Sequence, residues 1–436
     1  MSKEKLIPEL RFPEFDNNLG WDEVQLGDLC EVITKGTTPT TLGFKYTEDG
    51  VNFIKIESIE NGLINHSKVA HVTVECHEAL KRSQLAKNDI LFSIAGALGV
   101  VATVREQDLP ANINQALALV RLKKDVSQEY VNKYLNSPSI GTEILKIKAG
   151  AAQPNISLTQ VGNFKVLLPN EVEQQKIASC LSSLDELIAA HNDKLDALKD
   201  HKKGLLQKLF PQEGETVPKV RFPEFEGDGE WVETTIEELI REKILFPPKD
   251  GNHGSIHPKS SDYVKTGIPF IMASDLKNGK IDFSKCAYLK KEQADLLQKG
   301  FAKNGDVLLT HKGTVGEVAL LGELEYPYIM LTPQVTYYRI KDKSRLVNGF
   351  LAAFFNSDFF QKNLLKVSGG GTRAYVGITK QKEFDINFPK NPKEQQKIAS
   401  CLSAVDELIT AQQEKIEQLQ QHKKGLMQGL FPKMTD

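Results

Sequence analysis

The chain is written twice, and that duplication limits its possible folds more than any other feature. Arg11-Phe-Pro-Glu-Phe15 returns as Arg221-Phe-Pro-Glu-Phe225, and the only two tryptophans, Trp21 and Trp231, follow at the same offset. Glu173-Gln-Gln-Lys-Ile-Ala-Ser-Cys-Leu181 returns as Glu394-Gln-Gln-Lys-Ile-Ala-Ser-Cys-Leu402, and His201-Lys-Lys-Gly204 as His422-Lys-Lys-Gly425. Each half closes on Leu-Phe-Pro. Between these segments the halves diverge, keeping only echoes such as Lys87-Asn-Asp89 against Lys303-Asn-Gly-Asp306, and Asn136-Ser137 against Asn356-Ser357. One frame around two unlike inserts predicts a pseudo-two-fold molecule whose halves share an architecture and differ in surface.

The frame is helical by periodicity. Ile177, Leu181, Leu184, Ile188, Leu195, Leu198, Leu205 and Leu209 follow one another at steps of three, four or their sum, seven, as a heptad seam requires. Ile398, Leu402, Val405, Ile409, Ile416, Leu419, Leu426 and Leu430 repeat the pattern. The seam is interrupted at matching places, by His191 and Gln412 and by Lys202 and Lys423. Polar residues on a seam cost stability and fix register. If the helices pair antiparallel, His191 and Gln412 fall near the middle; a solvated gap is the plainer alternative. A helix of about 40 residues is about 60 Å long, which suits a spacer better than an enzyme core.

The inserts, about residues 20–165 and 230–385, read as mixed α and β. Val51 to Ile56, Ile90 to Ile94, Leu117 to Leu122 and Val335 to Ile340 have strand character, with Asn-Gly turns at 61–62 and 278–279. Gln128 to Leu135 and Val347 to Phe355 read as short helices. The expected fold class is therefore α+β: two mixed α/β domains joined by two long antiparallel coiled-coil helices. The expected boundaries are 1–168 for the first domain, 169–211 for the first helix, 212–388 for the second domain with a linker at 212–219, and 389–436 for the second helix and tail.

Much chemistry is missing. No G-x-x-x-x-G-K-[ST] phosphate loop and no Asn-Pro-Pro-Tyr/Phe methyltransferase signature occurs. Phe225-Glu-Gly-Asp-Gly229 has no preceding strand to make it a cofactor loop, and Gly369-Gly-Gly371 reads as a plain loop. The five cysteines form no C-x-x-C pair, and His66, His71, Cys76 and His77 match no standard metal spacing, so no metal and no catalytic residue is assigned. No apolar run reaches the roughly 20 residues of a membrane span, and the N-terminus is charged where a signal peptide is apolar, so a cytoplasmic protein is expected. The net charge of -2 excludes a chain coated in positive charge; a nucleic-acid surface would have to be a local patch.

A divergent domain, then a helix with E-Q-Q-K-I-A-x-x-L ending in K-K-G-L-x-Q-x-L-F, all present twice, resembles the specificity subunit of type I restriction-modification systems. The Arg-Phe-Pro-Glu-Phe segments and the Gly-x-x-Gln/Arg-Pro/Ala loops add to the resemblance, which covers nearly the whole chain. It implies a non-catalytic subunit in which each insert is a target recognition domain for half of a bipartite double-stranded DNA site. The helices would then set the spacing between halves. The resemblance further implies two methyltransferase subunits that bind S-adenosylmethionine and modify adenine, and restriction subunits that use ATP and Mg. No cofactor is expected on this chain itself. A purely structural coiled-coil adaptor with two protein-binding heads is the alternative.

Base reading needs Arg, Lys, Asn or Gln on projecting elements. The candidates are loops at equivalent places in the halves. Lys35, Thr37 and Thr38 face Lys249, Asn252 and His253 across the repeat; Gln153, Asn155 and Ser157 face Thr372, Arg373 and Tyr375. Lys312 and Thr314, where the first half has Ala95 and Ala97, are candidates for phosphate contact. The competing reading of each is an ordinary surface turn rich in Gly, Pro and polar residues.

Overall fold

Leu117–Leu122 and Ile90–Ser93 are apolar at almost every position, because both faces of the strands they form are covered. The computed structural model describes residues 6–18, 20–149, 154–369 and 374–432, apart from the side chain of Ser255. It comprises two units: Met1–Asn192 with Glu414–Asp436, and Asp193–Gln413.

In the first unit an antiparallel four-stranded sheet runs in the order Cys30–Lys35, Leu117–Leu122, Ile90–Ser93, Val101–Thr103. Side chains alternate between faces along a strand. Ile90, Phe92, Ala118 and Val120 enter a core shared with helices. Leu91, Leu117 and Leu119 enter another, shared with Ile54, Ala111 and Ile113. Those last three come from a smaller sheet in which Val51–Ile54 and Ala111–Ile113 are parallel. A separate pair, Asp22–Gln25 with Lys165–Leu168, ties the beginning of the insert to its end.

The second unit repeats the plan. Its four-stranded sheet has the order Lys249–Asp250, Val335–Tyr338, Val307–Lys312, Thr314–Leu320. Val307, Leu309 and Tyr338 face the helical core, while Leu308, Val335 and Tyr337 face Ile271, Ile329 and Leu331. Val232–Thr235 pairs with Asp385–Phe388 as the counterpart of the closing pair.

The long helices are Glu171–Leu209 and Pro392–Leu430, 39 residues each. The units divide within them, so each half-helix is part of one unit's core instead of a separate domain. In the first unit Ile177 and Leu181 share a core with Met427 and Leu430, and further along Asp185 meets Lys423. In the second, Leu206 and Leu209 share a core with Ile398 and Leu402, and Lys202 Nζ lies 2.6 Å from Asp406 Oδ1. Rising numbers on one segment meet falling numbers on the other, so within each unit the segments run antiparallel. All the seam residues from Ile177 to Leu198 and from Ile398 to Leu419, His191 and Gln412 included, are buried or half-buried. The interruptions at Lys202 and Lys423 are ion pairs: Asp406 answers Asp185 in the repeat, and the lysines answer each other.

The repeated motifs turn out to be one contact set. Arg11 donates from Nε and Nη2 to both carboxylate oxygens of Glu173 at 2.8 Å, and Arg221 does the same to Glu394 at 2.8 and 2.7 Å. Lys176 reaches Glu14 and lies over the Phe12 ring; Lys397 reaches Glu224 and lies over Phe222. The terminal Leu-Phe-Pro is a core plug. Phe431 packs against Trp21, Tyr130 and Tyr134 with centroids 6.4, 6.0 and 5.4 Å away. Phe210 packs against Trp231 and Phe350 at 6.1 and 5.6 Å. The second unit thus takes its plug from the residue that follows Glu171–Leu209, and the first takes its plug from the residue that follows Pro392–Leu430. Among the described residues no helix is long and apolar enough to cross a membrane.

Candidate nucleic-acid interface

In the first unit the loop after Cys30–Lys35 is anchored by Gly36. A Cβ there would stand 1.8 Å from the Ile113 carbonyl oxygen and 2.4 Å from that of Asn114, so only glycine allows the approach. Lys35 is exposed, and Thr37 and Thr38 are half-buried. Arg82 donates from Nη2 to Thr37 Oγ1 at 3.2 Å, and the Thr38 hydroxyl donates to the side-chain oxygen of Gln115. The second loop joins the same end of the sheet through backbone bonds: Ile94 N–H to Ala116 O at 2.8 Å, and Ile156 N–H to Ile94 O at 2.9 Å. Asn155 is exposed there. Ser157 caps the helix Leu158–Gly162 in a reciprocal box with Gln160, so its hydroxyl already has a structural partner. Gln153 lies outside the described residues.

The second unit anchors its loop identically. A Cβ on Gly251 would stand 1.9 Å from the Leu331 carbonyl oxygen. Lys249 is exposed. Asn252 is only 2% exposed: its amide donates to Lys299 O at 2.6 Å and accepts from Gln298 N at 3.0 Å. That amide holds a neighbouring turn and is not available to a ligand. His253 Nε2 lies 2.7 Å from Asp250 Oδ2, and Lys299 pairs with the other oxygen of Asp250. Burial opposes ionisation of Asp250, yet the bonds from Lys299 and His253 outweigh it and hold the carboxyl below its ordinary range.

The structure brings Lys312 and Tyr375 together, two candidates widely separated in sequence. They form an antiparallel bridge, with the Lys312 ammonium 6.0 Å from the ring centroid. Half of Tyr375 is exposed, and the His311 ring also lies near it, at 5.7 Å. His311 is fully buried, which lowers its pKa; the neutral ring bonds the Val376 carbonyl through Nδ1 at 3.0 Å. Thr314 is exposed at the start of the returning strand. Thr372 and Arg373 lie outside the described residues.

Arg82, Gln115 and Gln334 were missed by sequence reasoning. Gln115 and Gln334 sit in matching turns just before the strands Leu117–Leu122 and Val335–Tyr338, where strand periodicity drew attention away from them. No motif marks Arg82. Of the histidines and the cysteine between 66 and 77, His66 Nε2 is 2.9 Å from Asp108 and His77 Nδ1 2.6 Å from Asn112, while Cys76 is in a core.

A sequence profile described as the type I restriction modification DNA specificity domain matches residues 18–200 and again 230–421. A putative type I restriction enzyme MjaX specificity subunit of Methanocaldococcus jannaschii is 28% identical over 424 residues, spanning 94% of this chain and 92% of its own. The MjaVIII specificity subunit of the same organism is 24% identical over 97% of this chain and 93% of its own. Among solved structures, a type I restriction-modification S subunit from M. genitalium superposes with a TM-score of 0.58 at 16% identity, covering 98% of this chain and all of its own.

Proposed function

We propose a reading that starts from membership: the chain belongs to the family of type I restriction-modification DNA specificity subunits. Residues 1–168 and 212–388 act as two target recognition domains, each reading one half of a bipartite double-stranded DNA sequence. The helices in 169–211 and 389–436 hold them and carry two methyltransferase subunits and, with those, the restriction subunits. The chain is then the non-catalytic component of a cytoplasmic complex, and S-adenosylmethionine, ATP and Mg belong to its partners.

The observation that carries this reading is a charge reversal on an unchanged frame. Gly36 and Gly251 dock their loops in the same way, but the residue just before is Lys35 in one unit and Asp250 in the other. A structural linker gains nothing from such a contrast. Two readers of unlike sequences would use it, because base edges present different donor and acceptor patterns.

The direct experiment is selection from a random duplex library by the full chain bound to its own methyltransferase subunit. The expected result is a split consensus with two unlike halves. Enrichment of no sequence, with the complex intact, would favour an adaptor with two protein-binding heads.

A further inference from the structure

Charge pairing singles out a residue that no motif marks. The chain holds 55 basic against 57 acidic residues, so an arginine ordinarily finds a carboxylate. Seven described arginines do, from Arg11 on Glu173 to Arg345 on Glu242. Arg82, exposed in the turn Lys81–Ser83, is the described arginine with no such partner. Its one hydrogen bond goes to the Thr37 hydroxyl, in the loop that Gly36 locks against residues 113–114.

The matching turn of the second unit shows what this arrangement avoids. There Lys299 is neutralised by Asp250, a residue the first unit replaces with Lys35. The first unit therefore presents a planar fork of donors, steadied on one side and left without an internal anion. Its remaining N–H groups match an acceptor pair on a flat ligand edge, as O6 and N7 of guanine provide. Gln115 is bonded to Thr38, the next residue of the same loop.

We propose, on the reading that this unit recognises DNA, that Arg82 is a specificity-determining residue that donates two hydrogen bonds to one guanine in the major groove of its half-site. Thr37 is its positioning residue.

The test uses the full chain with its methyltransferase subunit and measures binding to the selected duplex and to duplexes changed one base pair at a time. The wild type should demand guanine at one position of one half-site. Arg82→Ala should lose about 5- to 150-fold of discrimination at that position, and Arg82→Lys most of it, since an ammonium is no planar fork. Thr37→Val should show a smaller loss at the same position. The other half-site should be unaffected. A uniform loss across all duplexes, with the salt slope reduced by about one, would make Arg82 a phosphate contact and overturn the assignment. Unchanged discrimination would overturn it as well. A wild-type complex without any base preference would overturn the DNA reading along with it.

Discussion

The two units differ least where they are built and most where they face outward. Arg11 with Glu173 and Arg221 with Glu394, Phe431 on Trp21 and Phe210 on Trp231, and the two lysine–aspartate pairs of the helices are the same contacts made twice. At the loop end of each sheet the units part company. The first offers Lys35, Arg82 and two threonines; the second offers a carboxylate already claimed by Lys299 and His253, and a tyrosine against Lys312. A frame that is copied contact by contact tolerates wide change in the loops it carries, because the loops contribute little to either core.

The largest effects are expected at the plugs. Phe210→Ala and Phe431→Ala each empty a fully enclosed site, and each should cost about 3–5 kcal/mol. Urea unfolding followed in each unit would show matching losses. A negligible effect of Phe431→Ala would mean that the chain's end is dispensable and the frames are not equivalent.

Slightly smaller is the expected effect of Arg11→Ala and Arg221→Ala. Glu173 and Glu394 are each 1% exposed and would be left as uncompensated buried charges, at about 3 kcal/mol. A large difference between the two variants would again separate the frames. At the loops, Asp250→Asn should free Lys299 and His253. Binding to DNA would then depend more steeply on salt, by about one released counterion, and base preference would change only in the second unit's half-site. A change in the other half would contradict independent readers.

The smallest effect is expected at the aspartates of the long helices. Asp185 is held by Lys133 at 2.7 Å and by Lys423, whereas Asp406 is held by Lys202. Burial works against the charge of Asp185, but both lysines outweigh it and lower its pKa. A lowered folded value means the carboxylate stabilises above the unfolded pKa of about 3.9, and that the contribution fades as pH falls through the folded value. Lys133→Ala should therefore cost under about 1 kcal/mol at neutral pH for this partly exposed pair, and nothing in strong acid. A loss that persists in acid would point to packing instead.

Much of this fold was legible because it rests on local pattern. Leu117–Leu122 and Gln128–Leu135 lie where their periodicity placed them. The long helices follow the heptad pattern of their apolar seams, since a buried stripe must recur at that spacing. What escaped depends on partners far apart in the chain. Nothing near Arg11 announces Glu173, 162 residues away, and the seam lysines look like defects until Asp406 and Asp185 are seen beside them. Asn252 reads as a loop amide from its neighbours, and it is buried because a turn 46 residues away needs its oxygen and nitrogen. Arg82 escaped for the converse reason: its distinction is a missing carboxylate, which only the fold reveals. Ser157 was nearer to hand, since Ser-x-x-Gln ahead of an apolar residue already describes a helix cap.

On the proposed function, one frame carries two independent readers. Replacing residues 20–165 with the first insert of another family member, and mapping methylated adenines across a host genome, tests it most directly. One half of the methylated site should become the donor's while the second half and the spacing stay as they were. A site altered in both halves would contradict it.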